Sequence, residues 1–222
     1  MKVLVISPHP DDETLGAGGT LLKLKKEGHE IYWLNVTNMK TEYGYTAERV
    51  AERNAEIEKV AKAYDVDGFY NMELQPAGVD GYDLGDLIPQ FKAVFEEVKP
   101  QVLLMPYQYD VHSDHRVIFE AVYSCTKSFR APYLNTVLCM EILSETDQAE
   151  RSHGFIPNVF VDVTDYLDKK IEIMKTYKSE IDASPFPRNE DAIRGLASYR
   201  GATAHYKYSE AFYLVRSRVD NF

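Results

Sequence analysis

Two short clusters hold the residue types that do hydrolytic chemistry. Ser7-Pro8-His9-Pro10-Asp11-Asp12-Glu13 follows the apolar run Val3–Ile6, and His112-Ser113-Asp114-His115 follows the apolar run Val102–Met105. Together they carry three of the six histidines and three aspartates. A catalytic zinc site takes neutral imidazole and carboxylate, with three protein ligands and one open position. His9 and Asp12 can converge on one ion from a single loop, and one histidine of the second cluster completes the set. Of two adjacent aspartates on a tight loop, one can bind metal while the other contacts the bound water. Paired Asp before a helix also serves as an N-cap and dipole arrangement. It is the position of both clusters at the ends of apolar strands that favours a metal site.

The elements that must position these clusters are read from periodicity. Val3–Ile6 is fully apolar, as a central parallel strand should be. Ser7 and His9 each precede proline and are pushed towards extended backbone, which stiffens the loop. Gly16, Gly18 and Gly19 lead into a helix with Leu21, Leu22 and Leu24 that ends at Gly28. Residues 31–36 read as a second strand, 47–64 as a helix and 68–74 as a weaker strand. The spacing of Leu84, Leu87, Ile88, Phe91, Phe95 and Val98 predicts a helix over 84–99, with Pro89 in its second turn. Residues 102–105 form the next strand. A helix starts near His115 with Asp114 as its N-cap. Later segments are looser: strands over 136–143 and 158–163, a helix capped by Thr164, a proline-containing loop at 184–188, a helix over 192–199 and a strand over 211–215.

Strands alternating with helices give an α/β fold, a mainly parallel sheet with helices on both faces. In the usual doubly wound order, strands one and four are neighbours, and their carboxyl ends flank the point where ligands bind in such sheets. The two clusters would then face each other across that point.

With 222 residues, one domain spanning 1–222 is the economical reading, with the last third, from about 135, completing the pocket. The formal charge of −10 argues against a nucleic-acid or anionic-membrane binder, since both need a positive surface. Cys125 and Cys139 sit among apolar residues and read as buried, reduced thiols. No run reaches the ~20 apolar residues of a membrane helix, and the first apolar run is too short for a secretory signal, so a cytoplasmic location is expected.

Pro-His-Pro-Asp-Asp-Glu near the N-terminus, with His-x-Asp-His about a hundred residues on, resembles the LmbE-like or PIG-L family of zinc-dependent N-acetylglucosaminyl deacetylases. Gly16-Ala17-Gly18-Gly19 resembles the glycine-rich start of the family's first helix, and Arg53 with Glu56 its arginine-containing second helix. Tyr208-Ser209-Glu210-Ala211-Phe212 resembles its C-terminal Tyr-Ala-Glu-Ala-Phe segment. The first two-thirds of the chain match well and the last third in places.

The resemblance implies a Rossmann-like fold and hydrolysis of an N-acetyl group from an N-acetylglucosamine-type sugar or glucosaminyl conjugate. It implies that His9, Asp12 and His115 hold Zn2+, that Asp11 is the general base, and that His112 polarises the substrate carbonyl. These roles suit the reaction, because a metal lowers the pKa of its water towards about 7 and polarises the carbonyl. A protonated His112 would stabilise the oxyanion, with Asp114 favouring the imidazolium. A two-His, one-carboxylate site also admits iron(II).

Arg53 shares a helix face with apolar residues, where a charge needs a partner. That partner is either Glu56 or, as the resemblance implies, a substrate hydroxyl or carboxylate. Glu13 is expected to support the motif. Asp110 either orients the second cluster or forms a turn. His29, His153 and His205 receive no function. Tyr43, Tyr45, Tyr107, Tyr109 and Tyr208 are possible pocket walls. Amidases acting on thiol conjugates and a non-catalytic sugar-binding protein are the competing functions. A nucleotide-binding module using the glycine run is disfavoured, because the glycines come too late after the strand. No feature fixes the oligomeric state, and a homo-oligomer through the last third stays open.

Overall fold

The computed structural model describes residues 1–219; the last three positions of the expected 1–222 domain lie outside the described residues. Among the described residues seven strands form one sheet: β1 (Lys2–Ser7), β2 (Glu30–Thr37), β3 (Gly68–Leu74), β4 (Val102–Met105), β5 (Thr136–Met140), β6 (Val159–Asp162) and β7 (Ser209–Ser217). Six helices accompany them: α1 (Asp12–Lys26), α2 (Ala47–Ala63), α3 (Leu84–Val98), α4 (Ser113–Cys125), α5 (Leu167–Met174) and α6 (Glu190–Ala204). The strand order is β3-β2-β1-β4-β5-β7-β6, and only β7 runs against its neighbours. The expected pairing of the first and fourth strands is present, with Val5 opposite Leu104. This is the α/β, mainly parallel, Rossmann-like sheet that the strand–helix alternation predicts.

Alternation within each strand divides the core. Val3 and Val5 of β1, Leu104 of β4 and Met140 of β5 pack with Leu15 and Leu21 of α1, Ile57 of α2, Ile171 of α5 and Ile193 of α6. Leu4 and Ile6, Leu103 and Met105 pack on the other face with Phe91 and Phe95 of α3 and Ile118 and Val122 of α4. Successive side chains of a strand point to opposite faces, so a run apolar at every position needs helices on both.

Three boundaries differ from the sequence reading in ways that bear on function. First, α1 begins at Asp12, so Gly16, Gly18 and Gly19 lie inside the helix. A Cβ at Gly16 would stand 2.8 Å from Met140 Cβ, and one at Gly19 would stand 2.7 Å from Val163 Cβ. These glycines let α1 press against β5 and the chain beyond β6. The far end closes as expected: Gly28 takes φ 82, its N–H donates to Lys25 O, and the His29 N–H donates to Leu24 O. Second, α4 starts two residues before the predicted point, and its cap is His112, whose Nδ1 accepts the Asp114 N–H at 3.1 Å. Asp114 is therefore not the cap, and its carboxylate is free to reach elsewhere. Third, Thr164 does not cap α5; its hydroxyl donates to Asp162 Oδ1 at 2.6 Å.

The C-terminal segment that resembles Tyr-Ala-Glu-Ala-Phe has a structural task. Glu210 accepts the N–H groups of Gly19 and Thr20 at 2.8 and 2.7 Å. Lys170 donates to Glu210 at 2.7 Å and to the Leu15 carbonyl at 2.8 Å. A buried ion pair thus satisfies main-chain groups of α1 and ties the last third of the chain to the helix that carries the first motif.

Candidate active site

The loop after β1 is anchored before it reaches the motif. The Pro8 carbonyl accepts from Thr37 N–H at 3.0 Å and Thr37 Oγ1 at 2.8 Å, which fastens it to the end of β2. Arg53 of α2, buried, donates to the Pro10 carbonyl at 3.0 Å from behind. Between these anchors His9 and Asp12 turn towards the loop after β4.

His9 Nδ1, Asp12 Oδ2 and His115 Nε2 form a nearly equilateral triangle. Its edges are 3.5 Å (His9–Asp12), 3.3 Å (Asp12–His115) and 3.3 Å (His9–His115). Ligand atoms about 2.0–2.1 Å from a tetrahedral zinc stand roughly 3.3–3.4 Å apart, so the donor set and its spacing fit such an ion. The outward nitrogen of each histidine is held by a carboxylate: His115 Nδ1 by Asp110 at 2.8 Å, and His9 Nε2 by Asp114 at 3.0 Å. This carboxylate–histidine pairing fixes ring orientation and tautomer at metal sites. Asp110 fills both roles open to it: it orients His115, and it closes the 107–110 turn, where its Oδ2 accepts the Tyr107 N–H at 3.3 Å and its own N–H donates to the Tyr107 carbonyl at 3.2 Å. The electrostatics agree. Burial disfavours charged imidazoles, yet hydrogen bonds to Asp114 and Asp12 outweigh it and lift His9 to about 9. His115 is also raised, because Asp12 and Asp110 outweigh its burial. The surroundings favour positive charge between these rings.

The adjacent aspartates diverge. Burial, reinforced by Asp12, pushes the Asp11 carboxyl well above its ordinary range, while Arg188 pulls the other way. Burial acts on Asp12 too, but His115 and His9 override it and hold its carboxyl below the ordinary range. Asp11 Oδ2 is shielded and has no hydrogen-bond partner in the protein; Arg188 Nη1 stands 3.5 Å away. The Asp11 backbone is strained at φ 148, a conformation rare outside glycine and typical of functional sites. Glu13 holds it there. One Glu13 oxygen accepts the Asp11 N–H at 3.1 Å, and the other accepts Tyr177 Oη at 2.9 Å and Thr14 Oγ1 at 2.6 Å.

Asp11, His9 and His112 line one cavity of about 290 Å³, close to the lower end of the ~300–1,000 Å³ found for small-molecule sites. His112 differs from the expectation of a protonated ring favoured by Asp114. Its Nδ1 accepts the Asp114 N–H, which assigns the ring proton to Nε2, and Asp114 Oδ2 is 4.0 Å away. Burial and the nearby His9 push the His112 pKa below the ordinary value, outweighing the charge of Asp114, which favours the imidazolium as expected. The Asp114 carboxylate bonds His9 and accepts the N–H groups of Ala77 and Val79, at 2.8 and 3.0 Å, which holds Ala77 at the cavity wall. Arg53 lines the cavity, but its Nη donors go to Pro10, Ser179 and Glu180, while its Nε makes no hydrogen bond and has Glu56 3.3 Å away. The pairing with Glu56 is thus present, alongside acceptors the sequence did not suggest.

Sequence reasoning missed Glu145, Glu180 and Arg188, all of which line the cavity, and had Tyr45 only among several tyrosines. Arg188 is the last residue of the proline-containing loop at 184–188, the sole signal that could have drawn attention to it. Glu145 and Glu180 have no sequence signal, because they come from irregular segments of the last third. Among the described residues no helix is long and apolar enough to cross a membrane.

The family model PIG-L (GlcNAc-PI de-N-acetylase) matches residues 4–126. The chain is 28% identical to a diacetylchitobiose deacetylase of Thermococcus kodakarensis, over 96% of this chain and 83% of that protein. It is 25% identical to a probable N-acetyl-alpha-D-glucosaminyl L-malate deacetylase 2 of Bacillus cereus, over 95% and 96%. The crystal structure of TT1542, a conserved protein of Thermus thermophilus, superposes with a TM-score of 0.76 at 23% identity, over 99% of this chain and 96% of that one, a likeness of fold. The matched span contains both histidine–aspartate clusters and the four strands that bring them together, and this chain belongs to the PIG-L family of deacetylases.

Proposed function

We propose that this protein is a metal-dependent hydrolase that removes the N-acetyl group from an N-acetylglucosamine-type sugar or glucosaminyl conjugate. The observation that carries the reading is a zinc-sized ligand triangle, one corner of which, His9, lines the same cavity as Asp11, a buried carboxylate whose Oδ2 has no hydrogen-bond partner. The relatives named as deacetylases of diacetylchitobiose and of a GlcNAc-malate conjugate support the substrate class.

His9, Asp12 and His115 hold the metal, with Asp110 and Asp114 orienting the two imidazoles. A bound zinc supplies a Lewis acid and a water ionised near neutral pH; the donor set also admits iron(II). Asp11 takes the proton of the attacking water and delivers it to the departing amine nitrogen, a double use that a raised carboxyl pKa suits. His112 donates from Nε2 to the carbonyl oxygen as negative charge grows there. Arg53 supports the Pro10–Asp11 peptide from behind, and any contact it makes with a sugar is secondary to that.

The test is acetate release from free, nucleotide-linked and small-aglycone N-acetylglucosamine derivatives, with zinc-reconstituted and chelated protein side by side. Release that the chelator abolishes is the expected result. No release from any sugar by protein proven to carry metal would overturn the substrate class.

A further inference from the structure

The cavity walls carry two guanidiniums, Arg53 and Arg188, and three carboxylates, Asp11, Glu145 and Glu180. Both cations already face acids. Arg53 is bound by Glu180 with Glu56 beside it, and Arg188 reaches Glu180 at 3.2 Å and Asp11 at 3.5 Å. The two Nε atoms lack acceptors, but each guanidinium's charge is met by a carboxylate. A carboxylate or phosphate on a ligand would have to compete with these acids.

Glu145 is the opposite case. Its Oε2 is shielded from solvent and has no hydrogen-bond partner, its Oε1 has only a long contact from Ser144 Oγ at 3.4 Å, and among the described residues it has no ion-pair partner. Glu145 lines the cavity, and a carboxylate with so few donors is costly, so a ligand that brings a donor to its cavity-facing side gains more here than at the occupied arginines. The residue is also firmly placed. Ser144 takes a left-handed φ of 72, Glu145 N–H donates to Ile142 O at 3.2 Å, and Glu145 O accepts from Val111 N–H at 3.2 Å, one residue before His112. Strained backbone that persists beside a cavity is typical of sites where a side chain's direction matters.

Resting on the deacetylase reading above, we propose that Glu145 is a specificity-determining residue. It accepts a hydroxyl or ammonium donor from the part of the substrate beyond the acetamide. The site therefore takes neutral amino-sugar chains and turns away sugars that carry a phosphate or carboxylate next to the glucosaminyl ring. Discrimination of this kind needs a repulsive element as well as an attractive one, and a carboxylate with no cation in ion-pair contact among the described residues supplies both.

The experiment compares N,N'-diacetylchitobiose with N-acetylglucosamine 1-phosphate. Binding is measured by calorimetry on metal-loaded Asp11→Asn protein, and kcat/KM on the unmodified enzyme. The expected preference for the neutral sugar is about tenfold or more in both. Glu145→Gln, which keeps the shape and removes the charge, should narrow it mainly by tightening the phosphorylated sugar. Equal or tighter binding of the phosphorylated sugar by the Asp11→Asn protein with Glu145 intact, or an equal or higher kcat/KM for it with the unmodified enzyme, would overturn the proposal even if Glu145→Gln did not fold. So would a preference unmoved by Glu145→Gln in a folded variant. Selective binding of the neutral sugar without acetate release would leave Glu145's role standing and overturn the deacetylase reading, and failure of both sugars to bind would overturn both.

Discussion

Asp11 and Asp12 are joined by one peptide bond and do opposite things. The Asp12 carboxylate lies 3.3 Å from His115 Nε2, while the Asp11 carboxylate turns to the cavity, 3.5 Å from Arg188. The divergence follows from the Asp11 backbone at φ 148, which rotates consecutive side chains away from each other at the start of α1. Pairs of carboxyls whose environments push their pKa values apart mark a division of labour.

Asp11→Asn should therefore retain metal and lose turnover. Loss of the proton-transfer group is expected to cost about 100- to 10,000-fold in kcat. Elemental analysis beside an acetate assay reads both quantities, and a variant that arrives without metal would refute the assignment of Asp11 as base.

His115→Ala removes one corner of the triangle and should yield protein without stoichiometric metal. Asp110→Ala leaves all three corners but frees the His115 ring, and metal affinity should fall about 10- to 100-fold. Competition with a chelator of known affinity measures the second effect. Unchanged affinity in Asp110→Ala would mean that packing alone orients His115.

The Lys170–Glu210 pair joins α5 and β7 to α1. Lys170→Met strands a buried carboxylate and should cost about 3–5 kcal/mol of stability in denaturant unfolding. Replacing both residues by apolar ones usually recovers stability, yet recovery should be incomplete here, because Glu210 also accepts two main-chain N–H groups of α1. Full recovery in the Lys170→Met, Glu210→Leu protein would show those two bonds to be dispensable.

Cys125 and Cys139 are both buried and unpaired, as their apolar flanks suggest. Burial pushes the Cys125 thiol up to about 11 and Cys139 higher still. A raised thiol pKa leaves less thiolate at a given pH, so at pH 8 roughly one Cys125 in a thousand is the reactive anion. Native protein should react slowly with an aromatic disulfide reagent at pH 8, and denatured protein should release two equivalents at once. Rapid titration of either thiol in the native state would contradict the packing of α4 or β5.

Much of this molecule is legible in the order of its residues alone. Apolar runs at residues 3–6 and 102–105 mark buried strands because no polar residue interrupts them, and the helical spacing over 84–98 is equally plain. Cluster position at the strand ends, with the usual sheet order, is enough to bring His9, Asp12, His112 and His115 to one place. The resemblance then divides the roles between His112 and His115.

Which partner each group takes is set by the three-dimensional packing. Asp114 lies one residue from His115 and two from His112, yet its carboxylate bonds His9, 105 residues away in the chain. The reason is that the His112 ring took over the cap of α4. Glu145, Glu180 and Arg188 come from segments without periodicity, so their arrival at the cavity depends on how the last third folds over α1. Glu180 and Arg188 are held there by Arg53 and Asp11, and the buried Lys170–Glu210 pair fastens the same third of the chain to α1. Periodicity reports burial along one element, whereas a hydrogen bond across the fold depends on distances that no local pattern encodes.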